Sequence, residues 1–335
     1  MKIRFAAIHV FILCALGVVA TKAPTLMQWN GPPLQPGKVG QYTIAAQARF
    51  INQHIPPQVL KYLGWTPRQV EQKLRQIPRI HNSCELFAGT AGISKQIIAL
   101  SGNAEIFDIK RDPVQQNLCC VEGMALALLL VLHVMAKGLL WIGFPCTTMV
   151  WIARAVMMRT SDNPEGNCLR KDVRDANFMA WYCAKLMVLS AMRNVYYIIE
   201  QPASSKLWEL NPMVWAKAIT NSDNVHGDLG AWGHQMAKPS SFEGTAPYLH
   251  HLNRTLKKAQ KALKDSTDSY SVRISSTGKK QVNGKPALKA SEHYPKSFCK
   301  MIAAFVMKKK SYTTAKKTNP EKTKKANMKK TKKAK

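Results

Sequence analysis

The stretch Glu85-Leu86-Phe87-Ala88-Gly89-Thr90-Ala91-Gly92 (ELFAGTAG) is the strongest local indication of the fold in this chain of 335 residues. Residues 83–87 predict a short strand, and the small residues that follow predict a tight turn into a helix. Such a turn lets backbone N–H groups at a helix N-terminus approach a ligand closely. A purely structural turn explains the same residues equally well, so the interpretation depends on the rest of the chain.

Outside this stretch, apolar strands alternate with apolar helices. The pattern predicts strands at 104–108, 139–144 and 195–199, and helices at 93–100, 124–136, 178–192 and 298–306. This alternation predicts an α/β fold with a mostly parallel sheet covered by helices on both faces. Residues 124–136 are apolar except for His133. Because thirteen residues cross a bilayer poorly, we expect a buried helix there, with a membrane segment as the alternative.

An acidic residue follows the second predicted strand. Asp108 lies 16 residues beyond Gly92, close to the spacing at which a carboxylate binds the diol of a ribose. The carboxyl ends of strands are also where open α/β sheets bind their ligands. The glycine-rich turn and Asp108 together indicate a cofactor that contains adenosine.

Two further strand ends carry side chains that could take part in a chemical reaction. Cys146 follows the strand that ends in Gly-Phe-Pro, where a helix N-terminus would lower the pKa of its thiol and make the thiolate a nucleophile. A buried structural cysteine is the alternative. Glu200 ends the strand Ile198-Ile199 and precedes Gln201-Pro202. We expect its carboxyl group to be partly desolvated and able to stay protonated near neutral pH.

The order ELFAGTAG, FD, GFPC and IEQP resembles the motif order of the DNA cytosine-5 methyltransferase family. The stretches GFPCTTMVWIAR, IEQPASSKLWEL and GAWGHQMAKPSSFEGTAPYL are similar to uncharacterised methyltransferase-like proteins from single-celled algae. The resemblance spans residues 83–306. It implies a Rossmann-like fold that uses S-adenosylmethionine and transfers a methyl group to C5 of cytosine in DNA. Cys146 would add to C6 of the base, and Glu200 would contact N3.

The resemblance also implies how the cofactor S-adenosylmethionine is held. Glu85 would lie near its amino group and Asp108 on its ribose. The complete set of implied cofactor-binding residues is Glu85, Phe87, Ala88, Gly89, Gly92, Asp108 and Pro145.

Three departures from the family pattern concern the loop and the substrate side. Ala91 stands where the family has its second loop glycine, which requires a negative φ at Ala91. Gln201 replaces the usual Asn beside the glutamate, and no Gln-x-Arg-x-Arg motif follows Glu200. The candidate substrate-binding residues are therefore Arg154, Gln201 and Lys238.

The formal net charge of +30 points to a polyanionic partner. Residues 308–335 hold thirteen Lys and one Glu, so +18 belongs to the rest of the chain. We expect the partner to be nucleic acid, DNA rather than RNA. Two alternatives stay open, namely a non-catalytic nucleic-acid-binding protein that keeps the methyltransferase fold, and a methyltransferase for RNA or another substrate. Contacts with phosphate groups alone are sufficient for the first of these.

The two ends of the chain carry conflicting signals for localisation. Residues 1–23 have the basic start and apolar run of a signal peptide or signal-anchor, which predicts an organelle on the secretory route, such as a plastid. The Lys-rich tail at 308–335, which we expect to be disordered, favours the nucleus instead. Between them we predict an irregular and helical extension at 24–80 and a methyltransferase-like domain at 81–307, with a short substrate-side insertion at 209–290. We expect a monomer that touches a membrane only through an uncleaved N-terminal segment.

The eight cysteines have no paired or regular spacing, which predicts reduced thiols and not a disulfide framework. No group of His and Cys has the spacing of zinc ligands, so the sequence predicts no metal.

Overall fold

The computed structural model describes residues 42–258, 260–261, 270–274, 280–284 and 292–308. The predicted signal segment at 1–23, the first part of the extension and all of the predicted tail after Lys308 lie outside the described residues. Among the residues described, no helix is both long and apolar enough to cross a membrane.

A six-stranded mixed sheet lies at the centre, with the strand order β2-β1-β3-β4-β6-β5. Its strands are β1 (His81–Leu86), β2 (Ala104–Phe107), β3 (Val134–Ile142), β4 (Tyr196–Pro202), β5 (Asp223–Asp228) and β6 (Pro239–Gly244). The first four strands pair in parallel, whereas β6 pairs antiparallel with both β4 and β5. The predicted α/β class is confirmed, and the sheet is mixed because of β6. A separate hairpin consists of β7 (Tyr270–Ile274) and β8 (Lys280–Gly284).

Nine α-helices are present in the described part of the chain. They are α1 (Ile44–His54), α2 (Pro57–Tyr62), α3 (Val70–Gln76), α4 (Gly92–Ala99), α5 (Val121–Leu132), α6 (Arg154–Met157), α7 (Lys171–Met192), α8 (Asn211–Thr220) and α9 (Lys296–Val306). Helices α4 and α9 pack together on one side, and α7 packs with α5 and α8. The four consecutive residues 139–142 of β3 are all fully buried. Since successive side chains of a strand point to opposite faces, both faces of the sheet are covered.

Two predictions about chain organisation differ from the structure. The helix predicted at 124–136 ends at Leu132, and β3 begins at Val134. Where every residue of a run is apolar, the pattern of apolar and polar residues has no periodicity, so it cannot show where a buried helix ends and a buried strand begins. The insertion predicted at 209–290 also differs, because α8, β5 and β6 fall within that range and the two strands complete the main sheet.

A buried lysine joins the N-terminal helices to the sheet domain. Lys185 on α7 is 2% exposed, and its Nζ donates a hydrogen bond to the carbonyl oxygen of His54 at the end of α1. The same Nζ lies over the ring of Trp181. Burial lowers the pKa of Lys185 to about 7, because the charged form is poorly solvated there.

Candidate active site

Four residues lie side by side where the parallel strands end. Leu86, the last residue of β1, pairs with the last residue of β2 on one side and with Ile142, the last residue of β3, on the other. Ile142 in turn pairs with Ile199 of β4. The residues that follow these pairs form one row: Asp108, Phe87, Gly143 and Glu200. In the sheet, β2 lies on one side of β1, whereas β3 and β4 lie on the other side. The order in which the chain adds strands therefore reverses between β1 and β3. Open α/β sheets bind ligands at the carboxyl ends of the strands where the order reverses in this way.

The turn after β1 has an unusual backbone. Phe87, Gly89 and Ala91 have φ values of 56°, 53° and 55°. The condition under which alanine is tolerated at position 91, a negative φ, is therefore not met, and the Cβ of Ala91 makes this conformation unfavourable by roughly 1–2 kcal/mol. Ala91 is also the N-cap of α4 and forms no side-chain cap.

Glu85 provides the cap that Ala91 lacks. The Ser94 N–H, in the first turn of α4, donates to Glu85 Oε2 at 2.8 Å. The carboxyl group is 1% exposed, and its Oε1 has no hydrogen-bond partner among the residues described. Burial raises the pKa of Glu85, whereas the N–H groups of Ser94 and Ile93 act in the opposite direction. One oxygen of Glu85 thus stabilises the helix, and the other lies buried near the Ser94 hydroxyl group with no hydrogen bond in good geometry among the residues described.

Gly92 is required by helix packing. A Cβ at this position would lie 2.7 Å from Cys299 Sγ on α9. Cys299 itself is only 2% exposed, so α4 and α9 approach each other through this glycine. The resemblance places Gly92 at the cofactor, whereas the structure provides a packing reason for the same residue.

Asp108 closes the turn from the side of β2. The Gly89 N–H donates to its Oδ2 at 2.7 Å, and the Lys110 N–H donates to its Oδ1 at 2.9 Å. Ala88 is buried and donates its N–H to the carbonyl oxygen of Phe107 at 3.2 Å. A carboxylate has about four acceptor sites, so Asp108 keeps acceptor capacity after these two bonds.

Cys146 lies beyond β3 and next to the half-buried Pro145, in a setting that differs from the prediction. The chain after Cys146 forms a turn and a 3₁₀ turn at Trp151–Ala153 before the short α6, so no α-helix begins at the thiol. Burial raises the pKa of Cys146, the charge of Glu200 raises it further, and Lys238 lowers it. The predicted lowering by a helix N-terminus is therefore wrong.

Glu200 is 5% exposed, and hydroxyl groups bind both of its oxygens. Ser240 Oγ–H donates to Oε1 at 2.6 Å, and Tyr294 Oη–H donates to Oε2 at 3.0 Å. Glu200 also acts on Cys146 electrostatically. Cys146 and Glu200, the two residues that were predicted to be catalytic, are thus close enough to interact electrostatically.

Gln201 has a structural role. It is fully buried, its Nε2 donates to the carbonyl oxygen of Phe144, and its Oε1 accepts from Ser205 Oγ at 2.8 Å. These bonds tie the segment before Cys146 to β4. Gln201 is therefore occupied, and the structure does not offer it to a substrate.

The other two predicted substrate residues differ in position. Lys238 lies near the site, with its Nζ 5.5 Å from the centre of the Tyr294 ring. Arg154 is exposed on α6, and no contact within the described residues connects it to Cys146 or Glu200. In the same segment Arg159 is buried and donates to the carbonyl oxygen of Pro164 at 2.6 Å.

Tyr294 is the functional residue that sequence reasoning missed. It precedes Pro295 at the start of α9, and its Oη accepts a hydrogen bond from Trp141 Nε1 at 3.3 Å while donating to Glu200. Its pKa is raised well above the ordinary value, first by burial and then by the charge of Glu200. No sequence pattern links Tyr294 to a residue so distant along the chain.

The cysteines that the structure describes all have free thiols. Among the described residues, no group of three or more His, Cys, Asp or Glu side chains is arranged to hold a metal ion. No family model, no curated protein and no solved structure matches this chain.

Proposed function

We propose that this chain is an S-adenosylmethionine-dependent methyltransferase that methylates C5 of cytosine in nucleic acid, with DNA as the first substrate to test. The main observation that supports this proposal is the row of residues at the ends of the parallel strands. At one end of the row, a glycine turn and Asp108 would bind the nucleoside of the cofactor, and at the other end Glu200 is close enough to act electrostatically on Cys146. A Rossmann-like fold agrees with the order β2-β1-β3-β4, since doubly wound sheets reverse direction in the same way.

The cofactor half of the site has donors and acceptors of the right kind. Within the described part of the chain, Glu85 Oε1 is a buried acceptor without a hydrogen-bond partner, which suits the ammonium group of an amino acid. Asp108 keeps acceptor capacity for a ribose diol, and the turn at Gly89 is open on the side where a Cβ would lie. When bound, S-adenosylmethionine supplies an electrophilic methyl group.

The thiol half of the site would activate the base. Cytosine C5 is a poor nucleophile, so the Cys146 thiolate would add to C6, forming an S–C6 bond and moving an electron pair toward C5 and N3. In its protonated form, Glu200 would donate a hydrogen bond to N3 and offset the negative charge that develops there. Methyl transfer to C5 would break the S–CH3 bond of the cofactor and leave S-adenosylhomocysteine. Water would then take the C5 proton, the C5–H electron pair would restore the C5=C6 double bond, and the S–C6 bond would break to release the Cys146 thiolate.

The segment that follows Cys146 along the chain has exposed side chains that suit nucleic acid. Arg154, Val156 and Met158 are exposed on the segment that follows the thiol. A base in a stack has to leave it to reach the thiol, which costs a few kcal/mol. Cationic side chains that bind phosphate offset this cost, and apolar side chains can fill the gap in the stack.

Transfer of labelled methyl groups from S-adenosylmethionine to DNA is the direct test. We expect wild-type protein to transfer label and Cys146→Ser to fall to background. Cys168→Ser is the matched control, because Cys168 is an exposed free thiol and should retain transfer. DNA that contains 5-fluorocytosine should form a covalent adduct with wild type but not with Cys146→Ser. Undiminished transfer by Cys146→Ser would refute the thiol mechanism.

A non-catalytic nucleic-acid-binding role is the second candidate, and the setting of Cys146 favours it. Burial and Glu200 both raise the pKa of the thiol, and no α-helix begins there to lower it. Salt-dependent binding to DNA, together with no adduct and no transfer, would support this candidate.

A further inference from the structure

The geometry points to Tyr294 as the positioning residue of Glu200, an inference that rests on the proposed function. Glu200 would act on the base through its carboxyl group, whose orientation therefore matters. Tyr294 Oη lies 3.0 Å from Oε2 of that group, and Ser240 Oγ lies 2.6 Å from Oε1. Two hydroxyl groups on opposite oxygens fix both the position and the plane of the carboxyl group.

The hydroxyl group of Tyr294 is itself fixed in direction. Trp141 Nε1–H donates to the same oxygen at 3.3 Å. Since an indole nitrogen only donates, the tyrosine proton is left to point at Glu200. The result is a chain of hydrogen bonds from Trp141 through Tyr294 to Glu200.

The ring of Tyr294 is held in place by aromatic neighbours. It meets the ring of Trp141 edge to face at 5.5 Å and the ring of Phe298 at 5.6 Å. Trp141 and Phe298 are fully buried. Such packing gives the ring little freedom, so we assign Tyr294 a fixed place beside Glu200 and not the role of a movable lid.

The end of β3 makes room for this arrangement. A Cβ on Gly143 would lie 3.1 Å from Tyr294 Oη and 3.2 Å from the Phe87 carbonyl oxygen. Gly143 therefore allows a residue from the start of α9 to reach the row of strand ends. This contact joins α9, which packs on α4 and the cofactor turn, to the acid of β4.

Glu200 depends on these hydroxyl groups because none of the described ion pairs involves it. Without Tyr294 Oη, Oε2 would be a buried oxygen without its donor, which is costly. The carboxyl group would then turn toward another partner and lose its alignment with the base.

The test compares Tyr294→Phe, Glu200→Gln and the double variant. Phenylalanine keeps the ring contacts and removes only the hydroxyl group. We expect kcat for methyl transfer to fall about 10- to 100-fold in Tyr294→Phe with little change in the KM for S-adenosylmethionine, as expected when a buried acceptor loses its hydrogen-bond donor. The double variant should be no slower than Glu200→Gln, because Tyr294 acts through Glu200. Losses that multiply, or unchanged kcat in Tyr294→Phe, would overturn the inference.

A second measurement separates this inference from the proposed function. The unfolding constants of wild type and the same three variants are measured in urea. The effect of the double variant on the unfolding constant should differ about tenfold from the product of the two single effects. Tyr197→Phe is the matched control, since Tyr197 on β4 is buried and bonds Thr220 instead, and its effect should be independent of Glu200→Gln. If wild type transfers no methyl group but the pair is coupled, the proposed function fails and the pairing of Tyr294 with Glu200 stands. If the pair is not coupled, the inference fails whether or not methyl is transferred.

Discussion

The packing of α4 on α9 through Gly92 leads to a prediction that separates a structural from a cofactor role. In Gly92→Ala, the new Cβ would lie 2.7 Å from Cys299 Sγ, whereas ordinary van der Waals contacts start at 3.4 Å. Either the Cys299 side chain would have to turn within a site where it is only 2% exposed, or the two helices would have to separate. Overpacking of a buried contact typically costs 1–3 kcal/mol, so we expect Gly92→Ala to lower the free energy of unfolding by about 2 kcal/mol.

Removal of the opposing sulfur atom should reverse this loss. Cys299→Ala alone leaves a small void and should cost about 1 kcal/mol. In the double variant the new methyl group occupies the space of the missing sulfur atom, since Cys299 Cβ is 3.9 Å from the position of the new Cβ. We expect the double variant to lie within about 1 kcal/mol of wild type, well short of the roughly 3 kcal/mol sum of the single effects.

Urea denaturation followed by circular dichroism measures these differences. Gly89→Ala is the control, because a Cβ there meets nothing within 4 Å and only its positive φ is strained. Its effect should be independent of Cys299→Ala. Additive effects of Gly92→Ala and Cys299→Ala, or an unchanged stability in Gly92→Ala, would refute the packing argument and leave contact with the cofactor as the reason for the glycine.

Three further predictions concern backbone strain and titration. Ala91→Gly should raise the free energy of unfolding by about 1 kcal/mol in urea, because φ of 55° suits glycine. Lys185→Met should be more stable than wild type below pH 7 in thermal melts. The pKa of Lys185 is about 7 in the folded protein against an ordinary value of 10.5. Between pH 7 and pH 10.5, unfolding of the protein is therefore accompanied by uptake of a proton at Lys185. Wild-type stability should rise across that window and the difference should vanish near pH 10; a difference independent of pH would contradict this. Alkylation of Cys146 by iodoacetamide, followed by peptide mass spectrometry, should begin at lower pH in Glu200→Gln and at higher pH in Lys238→Met.

Strands β3 and β4 could be predicted because each contains an apolar run that ends in a polar or small residue. Strands β1 and β2 were predicted from the glycine-rich turn and the aspartate that follow them. The same signal was absent for β5, whose residues 223–228 are mostly polar and partly exposed at the edge of the sheet. Strand β6 begins with Pro239 and two serines, and its pairing with β4 has no local pattern. The antiparallel part of the sheet was therefore missed.

The candidate site was predictable where its residues follow strands, and less so where distant segments meet. Cys146 and Glu200 lie at strand ends, so the parallel sheet brings them to one edge. Tyr294 reaches the same edge from 94 positions beyond Glu200, and only tertiary packing establishes that contact. The prediction of a lowered thiol pKa at Cys146 assumed a helix that the chain does not form.

The bonds of Gln201 affect how the site is assembled. Gln201 directly follows Glu200, and its side chain donates to the carbonyl oxygen of Phe144, two residues before Cys146. This bond ties the segment that carries Cys146 to the strand that carries Glu200. If the proposed reaction occurs, the thiol and the acid would therefore be held near each other before a substrate arrives, which is how preorganised sites lower a barrier.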